Sequence, residues 1–171
     1  MLGGIRSGKS QWAESALAES VGPDTPVRYV ATGPTADTDP SWSERIAAHR
    51  SRRPPHWRTV ETTDVPALLR EDTTTATLID DVGGWLAACL DNPNVDELIC
   101  AISSFESPLA VVSPEVGLMV VPATESGRRF ADELGTLNQH LAAICDRVVL
   151  VVAGQPVIVK NSSDERLREE Q

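Results

Sequence analysis

The chain has 171 residues, of which 41% are hydrophobic and 23% charged, a composition typical of a single globular domain. Its formal net charge of −10 disfavours non-specific nucleic-acid binding, and no apolar run approaches the ~18 residues of a membrane-spanning helix. Three widely spaced cysteines without a C-x-x-C pair indicate reduced core thiols, not a disulfide framework or a zinc site: Cys89, Cys100 and Cys145. We therefore expect a cytoplasmic protein that neither binds nucleic acid nor spans a membrane.

The N-terminal segment carries a phosphate-binding motif. Residues 3–10 read Gly-Gly-Ile-Arg-Ser-Gly-Lys-Ser and match the pattern G-x-x-x-x-G-K-[ST]. Gly3 and Gly8 allow backbone conformations that direct N–H groups at a phosphate chain. Lys9 adds a positive charge, and the Ser10 hydroxyl suits a Mg²⁺ ion. A helix predicted over 10–20 directs its positive end at the same anion, so we interpret the segment as a nucleotide phosphate site and not as a chance Gly-rich turn.

A buried strand normally precedes such a loop, but only Met1 and Leu2 do so here. We therefore expect the first, central strand to be truncated and the chain to be shortened at its N-terminus. Restoring upstream apolar residues to a strand buried on both faces would then raise stability.

The remaining elements alternate between strand and helix, which predicts a three-layer α/β domain with a mostly parallel central sheet. Strands are predicted over 27–31, 57–61, 77–80, 109–113, 148–152 and, at an edge, 157–160. Helices are predicted from a capping box at Ser41 to about Arg50, and over 65–70, 85–90, 95–105 and 127–145. We expect one domain over residues 1–160, followed by a charged tail over 161–171.

A basic segment interrupts the acidic chain. Residues 45–60 contain five arginines and no acidic residue, and they also contain His49 and His56. Such a positive island predicts a focused site for a small polyanion, although a solvated basic loop is the alternative.

Two acidic residues end the predicted strand over 77–80. Asp80 follows Lys9 by about 70 residues, where phosphate-loop enzymes hold Mg²⁺ directly or through water. Asp81 is adjacent, and the alternation of side chains along a strand allows only one of the two to face the site. The alternative is that both are solvent-exposed carboxylates.

The three histidines differ in their surroundings. His49 lies beside the apolar stripe of its predicted helix, among arginines, and a neutral imidazole is a good nucleophile toward phosphorus. Sequence physics alone does not favour that role over an ordinary histidine. His56 is expected in a loop, where it either binds phosphate or has no role in the site. His140 is expected to face solvent.

These features together resemble the bifunctional adenosylcobinamide kinase / adenosylcobinamide-phosphate guanylyltransferase family of cobalamin biosynthesis, over residues 3–160. The motifs that carry the resemblance are the phosphate loop, Tyr-Val-Ala-Thr (29–32), Arg-Ile-x-x-His, Arg-Arg-Pro and His-Trp-Arg-Thr-Val-Glu within 45–61, Leu-Ile-Asp (78–80) with Trp85, Glu-Val-Gly (115–117) and Val-Val-Leu-Val-Val-Ala-Gly (148–154). The chain departs from the family pattern at Pro114, where Asn is usual, and at 81–84, where Thr is usual.

The resemblance implies a domain like those of P-loop NTPases, with His49 carrying GMP covalently and Lys9 also catalytic. It implies nucleotide contacts from Gly3, Gly4, Ile5, Arg6, Ser7, Gly8, Lys9, Ser10, Thr32, Gly33, Pro34, Arg50, Ser51, Arg52, Arg53, Glu61 and Asp80, with Mg²⁺ at Ser10 and Asp80. The implied substrates are adenosylcobinamide, adenosylcobinamide phosphate and GTP, with ATP or GTP as phosphate donor, and the implied assembly is a homotrimer. The alternatives are a plain small-molecule kinase and a non-catalytic nucleotide-binding oligomer.

Overall fold

Seven strands form a single sheet in the computed structural model, which describes residues 1–33 and 53–162. The strands are β1 (Leu2–Gly3), β2 (Arg28–Ala31), β3 (Arg58–Glu61), β4 (Thr77–Asp80), β5 (Leu109–Pro114), β6 (Arg147–Val152) and β7 (Gln155–Asn161). Their order is β3-β2-β4-β5-β1-β6-β7, and every neighbouring pair is parallel except β6 and β7. The predicted mostly parallel sheet is therefore confirmed.

Five helices connect the strands of the described residues: α1 (Lys9–Val21), α2 (Val65–Glu71), α3 (Val82–Ala88), α4 (Val95–Ser103) and α5 (Glu125–Ile144). The prediction of α3 was wrong at its start, because the helix begins three residues before Trp85. Asp81 caps it by accepting a hydrogen bond from the Gly84 N–H at 2.8 Å. The helix predicted between Ser41 and Arg50 lies outside the described residues.

Helices cover both faces of the sheet, which gives the three layers predicted. Consecutive strand residues alternate between two apolar clusters, as the period of a strand requires. Leu78 faces the α1 side with Ala13 and Leu17, whereas Ile79 faces the side of α2 to α5 with Leu69 and Leu134. Each parallel strand in the middle of the sheet is thus buried on both sides.

The first strand is two residues long and lies in the interior of the sheet. Leu2 pairs with Ser113 of β5 and with Leu150 of β6. The Glu115 N–H donates to the Gly3 carbonyl at 3.0 Å, so the pairing continues to the point where the phosphate loop begins. The first strand expected from the sequence is present with two residues, and it places the loop at the carboxyl edge between β5 and β6.

Several smaller predictions can be compared with the fold. The helix predicted over 127–145 is α5, in which Leu134, Leu137 and Leu141 are buried, whereas Ile144 at its end is 38% exposed. His140 is exposed, as expected. The three cysteines are free, yet Cys100 is exposed on the outer side of α4, so describing all three as core thiols was wrong.

The helices of the described residues can be compared with the requirements of a membrane span. No helix within residues 1–33 and 53–162 has both the length and the apolar character needed to cross a bilayer.

Candidate nucleotide site

The phosphate loop runs from the end of β1 to the first turn of α1. Two residues in it adopt positive φ angles, Arg6 at 55° and Gly8 at 94°, and the second is a conformation that side chains rarely tolerate. A Cβ on Gly3 would lie 2.8 Å from the Val151 carbonyl oxygen, so the loop also needs glycine where it leaves the sheet. The Ser7 N–H closes a turn by donating to the Gly4 carbonyl at 3.3 Å.

The β6–β7 hairpin holds this loop from the other side. Ala153 and Gly154 both have positive φ angles, 49° and 78°, and form the tight turn between the strands. The Gly154 N–H donates to the Ser7 carbonyl at 2.8 Å. Sequence reasoning missed this contact, because Ala-Gly is not one of the residue pairs typical of a two-residue hairpin turn.

Lys9 and Ser10 lie at the start of α1, as the motif requires. The Lys9 side chain is only 6% exposed, and its ammonium folds back over the loop to donate to the Gly4 carbonyl at 3.4 Å. The Ser10 hydroxyl donates to Asp80 Oδ1 at 3.0 Å. The two residues predicted to hold a metal are therefore neighbours, although they are 70 positions apart in the chain.

Asp80 and Asp81 serve different purposes. Asp80 accepts hydrogen bonds on both oxygens, from Ser10 on Oδ1 and from the Tyr29 hydroxyl on Oδ2. Asp81 turns away and caps α3. Of the two carboxylates, only Asp80 contacts the phosphate loop through the hydrogen bonds described.

The donor set beside the loop fits Mg²⁺. This ion prefers hard oxygen ligands and usually takes one or two carboxylates together with substrate phosphates. Ser10 Oγ and the Asp80 carboxylate supply such oxygens next to the Lys9 ammonium. Within residues 1–33 and 53–162, no group of three or more His, Cys, Asp or Glu side chains is placed to hold a metal ion.

Tyr29 is buried beside Asp80 and was not predicted as a site residue. Burial raises the pKa of the Tyr29 hydroxyl far above its ordinary value, the charge of Asp80 raises it further, and the Arg53 guanidinium opposes the shift. The hydroxyl is therefore a protonated donor. Tyr29 opens the Tyr-Val-Ala-Thr motif, but a single aromatic residue on an apolar strand is typical of a core, so the sequence assigned it no role in the site.

Arg53 lies within the basic segment and contacts the sheet. Its Cζ lies 3.7 Å from the centroid of the Tyr29 ring, and its Nη1 donates to Thr59 Oγ1 at 2.7 Å. The resemblance implied a nucleotide contact here, and in the structure the guanidinium covers Tyr29.

Thr32 and Glu61 lie at the same carboxyl edge. Thr32 follows β2, is 2% exposed and donates from its hydroxyl to the Asp81 carbonyl, so it joins two loops of the site. Glu61 ends β3 and pairs with Ala31 of β2, which in turn pairs with Asp80 of β4. Gly33 packs against the start of α3, where a Cβ on Gly84 would lie 3.4 Å from the Gly33 Cα.

The remaining predicted positions divide into two groups. Gly4, Ile5 and Arg6 form the exposed outer part of the loop, with Ile5 87% exposed. Five further positions lie outside the described residues: Pro34, His49, Arg50, Ser51 and Arg52.

The two departures from the family pattern contact each other. A Cβ on Gly83 would lie 2.8 Å from Pro114 Cγ, so the proline ring fits only against a residue without a side chain. The Asn138 side-chain amide donates to the Pro114 carbonyl at 3.0 Å, and its oxygen accepts from Ser113 Oγ at 2.5 Å. The end of β5 is thus tied both to α3 and to α5.

Comparison with known proteins gives consistent matches. Residues 1–159 match the family described as cobinamide kinase / cobinamide phosphate guanyltransferase. The bifunctional adenosylcobalamin biosynthesis protein CobP of Pseudomonas aeruginosa is 39% identical over 170 residues, which cover 94% of this chain and 95% of that protein. The similarly named CobU proteins of Escherichia coli and Salmonella typhimurium are 34% and 36% identical, each over 94% of this chain and 98% of the relative.

The different contacts of Asp80 and Asp81 generate a prediction with a built-in control. Asp80→Asn removes the charge that faces Ser10, so we expect Mg²⁺-dependent binding of a fluorescent GDP to weaken roughly tenfold or more. Asp81→Ala removes a helix cap, so we expect a loss of about 1 kcal/mol in urea unfolding without a change in binding. Equal weakening of nucleotide binding by both variants would contradict this assignment.

Proposed function

Because this chain belongs to the cobinamide kinase / cobinamide phosphate guanyltransferase family, we propose that its single phosphate loop serves both reactions of that family. The protein is an enzyme of cobalamin biosynthesis that uses nucleoside triphosphates, as the sequence predicted. The observation that supports the proposal is the 3.0 Å contact between Ser10 and Asp80 beside the buried Lys9.

In the kinase reaction, a hydroxyl of adenosylcobinamide attacks the γ-phosphorus of ATP or GTP. A new P–O bond forms, the bond to the bridging oxygen breaks, and the nucleoside diphosphate leaves while the hydroxyl proton is released. Lys9 and the loop N–H groups stabilise the charge on the phosphoryl oxygens. Mg²⁺, which Ser10 and Asp80 would hold, would neutralise charge on the β- and γ-phosphates.

In the guanylyltransferase reaction, an imidazole nitrogen of His49 attacks the α-phosphorus of GTP. A P–N bond forms and pyrophosphate leaves. A phosphate oxygen of adenosylcobinamide phosphate then attacks the same phosphorus, the P–N bond breaks, and adenosylcobinamide-GDP is released. His49 is proposed on the family resemblance and on the arginines that surround it in the sequence, since it lies outside the described residues.

We also propose a homotrimer that acts in the cytoplasm. An apolar surface lies on the β6–β7 side of the domain, formed by Leu118, Val120 and Val121 and, on β7, by Val157 and Val159, each more than half exposed. Beside it, a groove of about 730 Å³ lies between residues 115–122 and α5. A surface of this kind fits a second copy of the chain. Three free cysteines fit a reducing compartment.

Lys9→Ala should abolish both activities, because each reaction needs the triphosphate in the same loop. Phosphorylation of adenosylcobinamide and retention of label from α-³²P-GTP on denatured protein measure the two. Lys160→Ala, which removes the only other lysine, is the control: its ammonium contacts only the end of α5 in the bonds described, at 3.0 and 3.1 Å. A folded Lys9 variant with normal guanylylation would require a second nucleotide site.

His49→Asn should separate the activities. Asparagine cannot form a phosphoramidate, so we expect no covalent GMP and no adenosylcobinamide-GDP, while phosphorylation of adenosylcobinamide persists. The label on the unchanged protein should be acid-labile and alkali-stable. His56→Asn and His140→Asn are matched controls that should keep the label. Label that survives in the His49 variant and is lost in the His56 variant would move the nucleophile to His56.

Val120 is 90% exposed in the single chain and would be buried in the interface of the proposed trimer. Val120→Glu therefore places a charge in that interface. Light scattering after size exclusion should give three chains for the unchanged protein and fewer for the variant. Glu125→Lys, a charge change at the first residue of α5, should leave the mass unchanged. A monomeric unchanged protein, or a trimer that is insensitive to Val120→Glu, would contradict the proposal.

A further inference from the structure

The Tyr29 side chain extends from β2 to the Asp80 carboxylate beside the phosphate loop. Tyr29 on β2 is in register with Leu78 on β4, two residues before Asp80. Residues two apart on a strand face the same side, so Tyr29, Leu78 and Asp80 share the face that α1 covers. The Tyr29 side chain is 3% exposed, and its hydroxyl donates to Asp80 Oδ2.

The Asp80 carboxylate is oriented by two donors from two different elements. Ser10 on α1 donates to Oδ1 at 3.0 Å, and Tyr29 on β2 donates to Oδ2. The terminal torsion of an aspartate is broad, so one hydrogen bond leaves the carboxylate plane free to turn. The second bond, from a residue fixed in the sheet, determines which edge of the carboxylate faces Ser10.

The Tyr29 ring is itself held in place. Arg53 Cζ lies 3.7 Å from the ring centroid, and the same guanidinium is fixed by its 2.7 Å bond to Thr59 on the neighbouring strand. Apolar residues of α1, Ala13 and Leu17, belong to the buried cluster that contains the ring. A ring enclosed in this way keeps its hydroxyl directed at Asp80.

We propose that Tyr29 is a positioning residue of the phosphate-transfer centre: it orients Asp80 toward Ser10 and toward the Mg²⁺ of a bound nucleotide, without touching the nucleotide itself. The inference rests on the proposed metal role of Ser10 and Asp80. Tyr29 would then affect both reactions only through its hydrogen bond to the Asp80 carboxylate.

Tyr29→Phe tests this role, because phenylalanine keeps the ring under Arg53 and removes only the hydroxyl. Binding of a fluorescent GDP is titrated with Mg²⁺ and, separately, in EDTA. We expect the Mg²⁺ concentration for half-maximal enhancement of binding to rise about tenfold. Binding in EDTA should stay unchanged, since the hydroxyl contacts only Asp80 in the hydrogen bonds described.

Thr77→Val is the matched control on the strand of Asp80. It also removes one buried hydroxyl, which accepts a hydrogen bond from Arg28 Nε at 3.1 Å at the opposite end of β4. This variant should lower the melting temperature and leave the Mg²⁺ dependence unchanged. A shift in Mg²⁺ dependence as large as that of Tyr29→Phe would show that lost stability alone produces the effect, and would overturn the inference.

A double-variant cycle completes the test. If Tyr29 acts only through Asp80, Tyr29→Phe adds no further shift in a protein that already carries Asp80→Asn. Shifts in Mg²⁺ dependence that add in the double variant would overturn the role of Tyr29 but not that of Asp80. The same conclusion would follow if Asp80→Asn shifted the Mg²⁺ dependence and Tyr29→Phe did not. An unshifted Asp80→Asn would overturn the proposed metal role of Asp80 and this inference with it.

Discussion

The hydrogen bond from Ser10 to Asp80 joins the first turn of α1 to the end of β4. It depends on the parallel sheet, because only parallel strands bring the loop after β1 and the end of β4 to one edge. The loop can bind phosphate through its backbone alone, but the paired hydroxyl and carboxylate give it the hard oxygens that a nucleotide-bound cation needs. A change in the register of β4 by one residue would put Asp81 in the place of Asp80, but it would also turn Leu78 and Ile79 to the opposite faces of the sheet, so the two apolar clusters fix which aspartate lies beside Ser10.

The rest of the fold supports that contact from both sides. The β6–β7 turn holds the loop through Gly154 and Ser7, and Tyr29 holds Asp80 from β2. Thr32 ties the end of β2 to the carbonyl of Asp81, which is also the cap of α3. Two elements, α1 and β2, thus contact the Asp80 carboxylate directly, and the β6–β7 turn and the end of β2 fix the loops beside it.

The sequence predicted the loop and the order of the described strands, because each is encoded in a local pattern. The same kind of pattern put both Asp80 and Asp81 at the end of β4, and the resemblance singled out Asp80. Which of the two lies beside Ser10 depends on the register of β4 against β2 and β5. The role of Tyr29 was not predictable, because an aromatic residue on an apolar strand looks like core until its hydroxyl is seen beside a carboxylate. The packing of Gly83 against Pro114 was also not predictable, because it joins two residues that are far apart in the sequence.

We propose that one phosphate loop binds the nucleotide for both reactions. Equilibrium binding with α,β-methylene-GTP and with the β,γ-imido analogue of ATP tests it directly, since neither analogue supports transfer of the phosphoryl group under study. If one loop serves both reactions, one nucleotide binds per chain in total, and each analogue displaces the other. Simultaneous binding of one molecule of each per chain would contradict it.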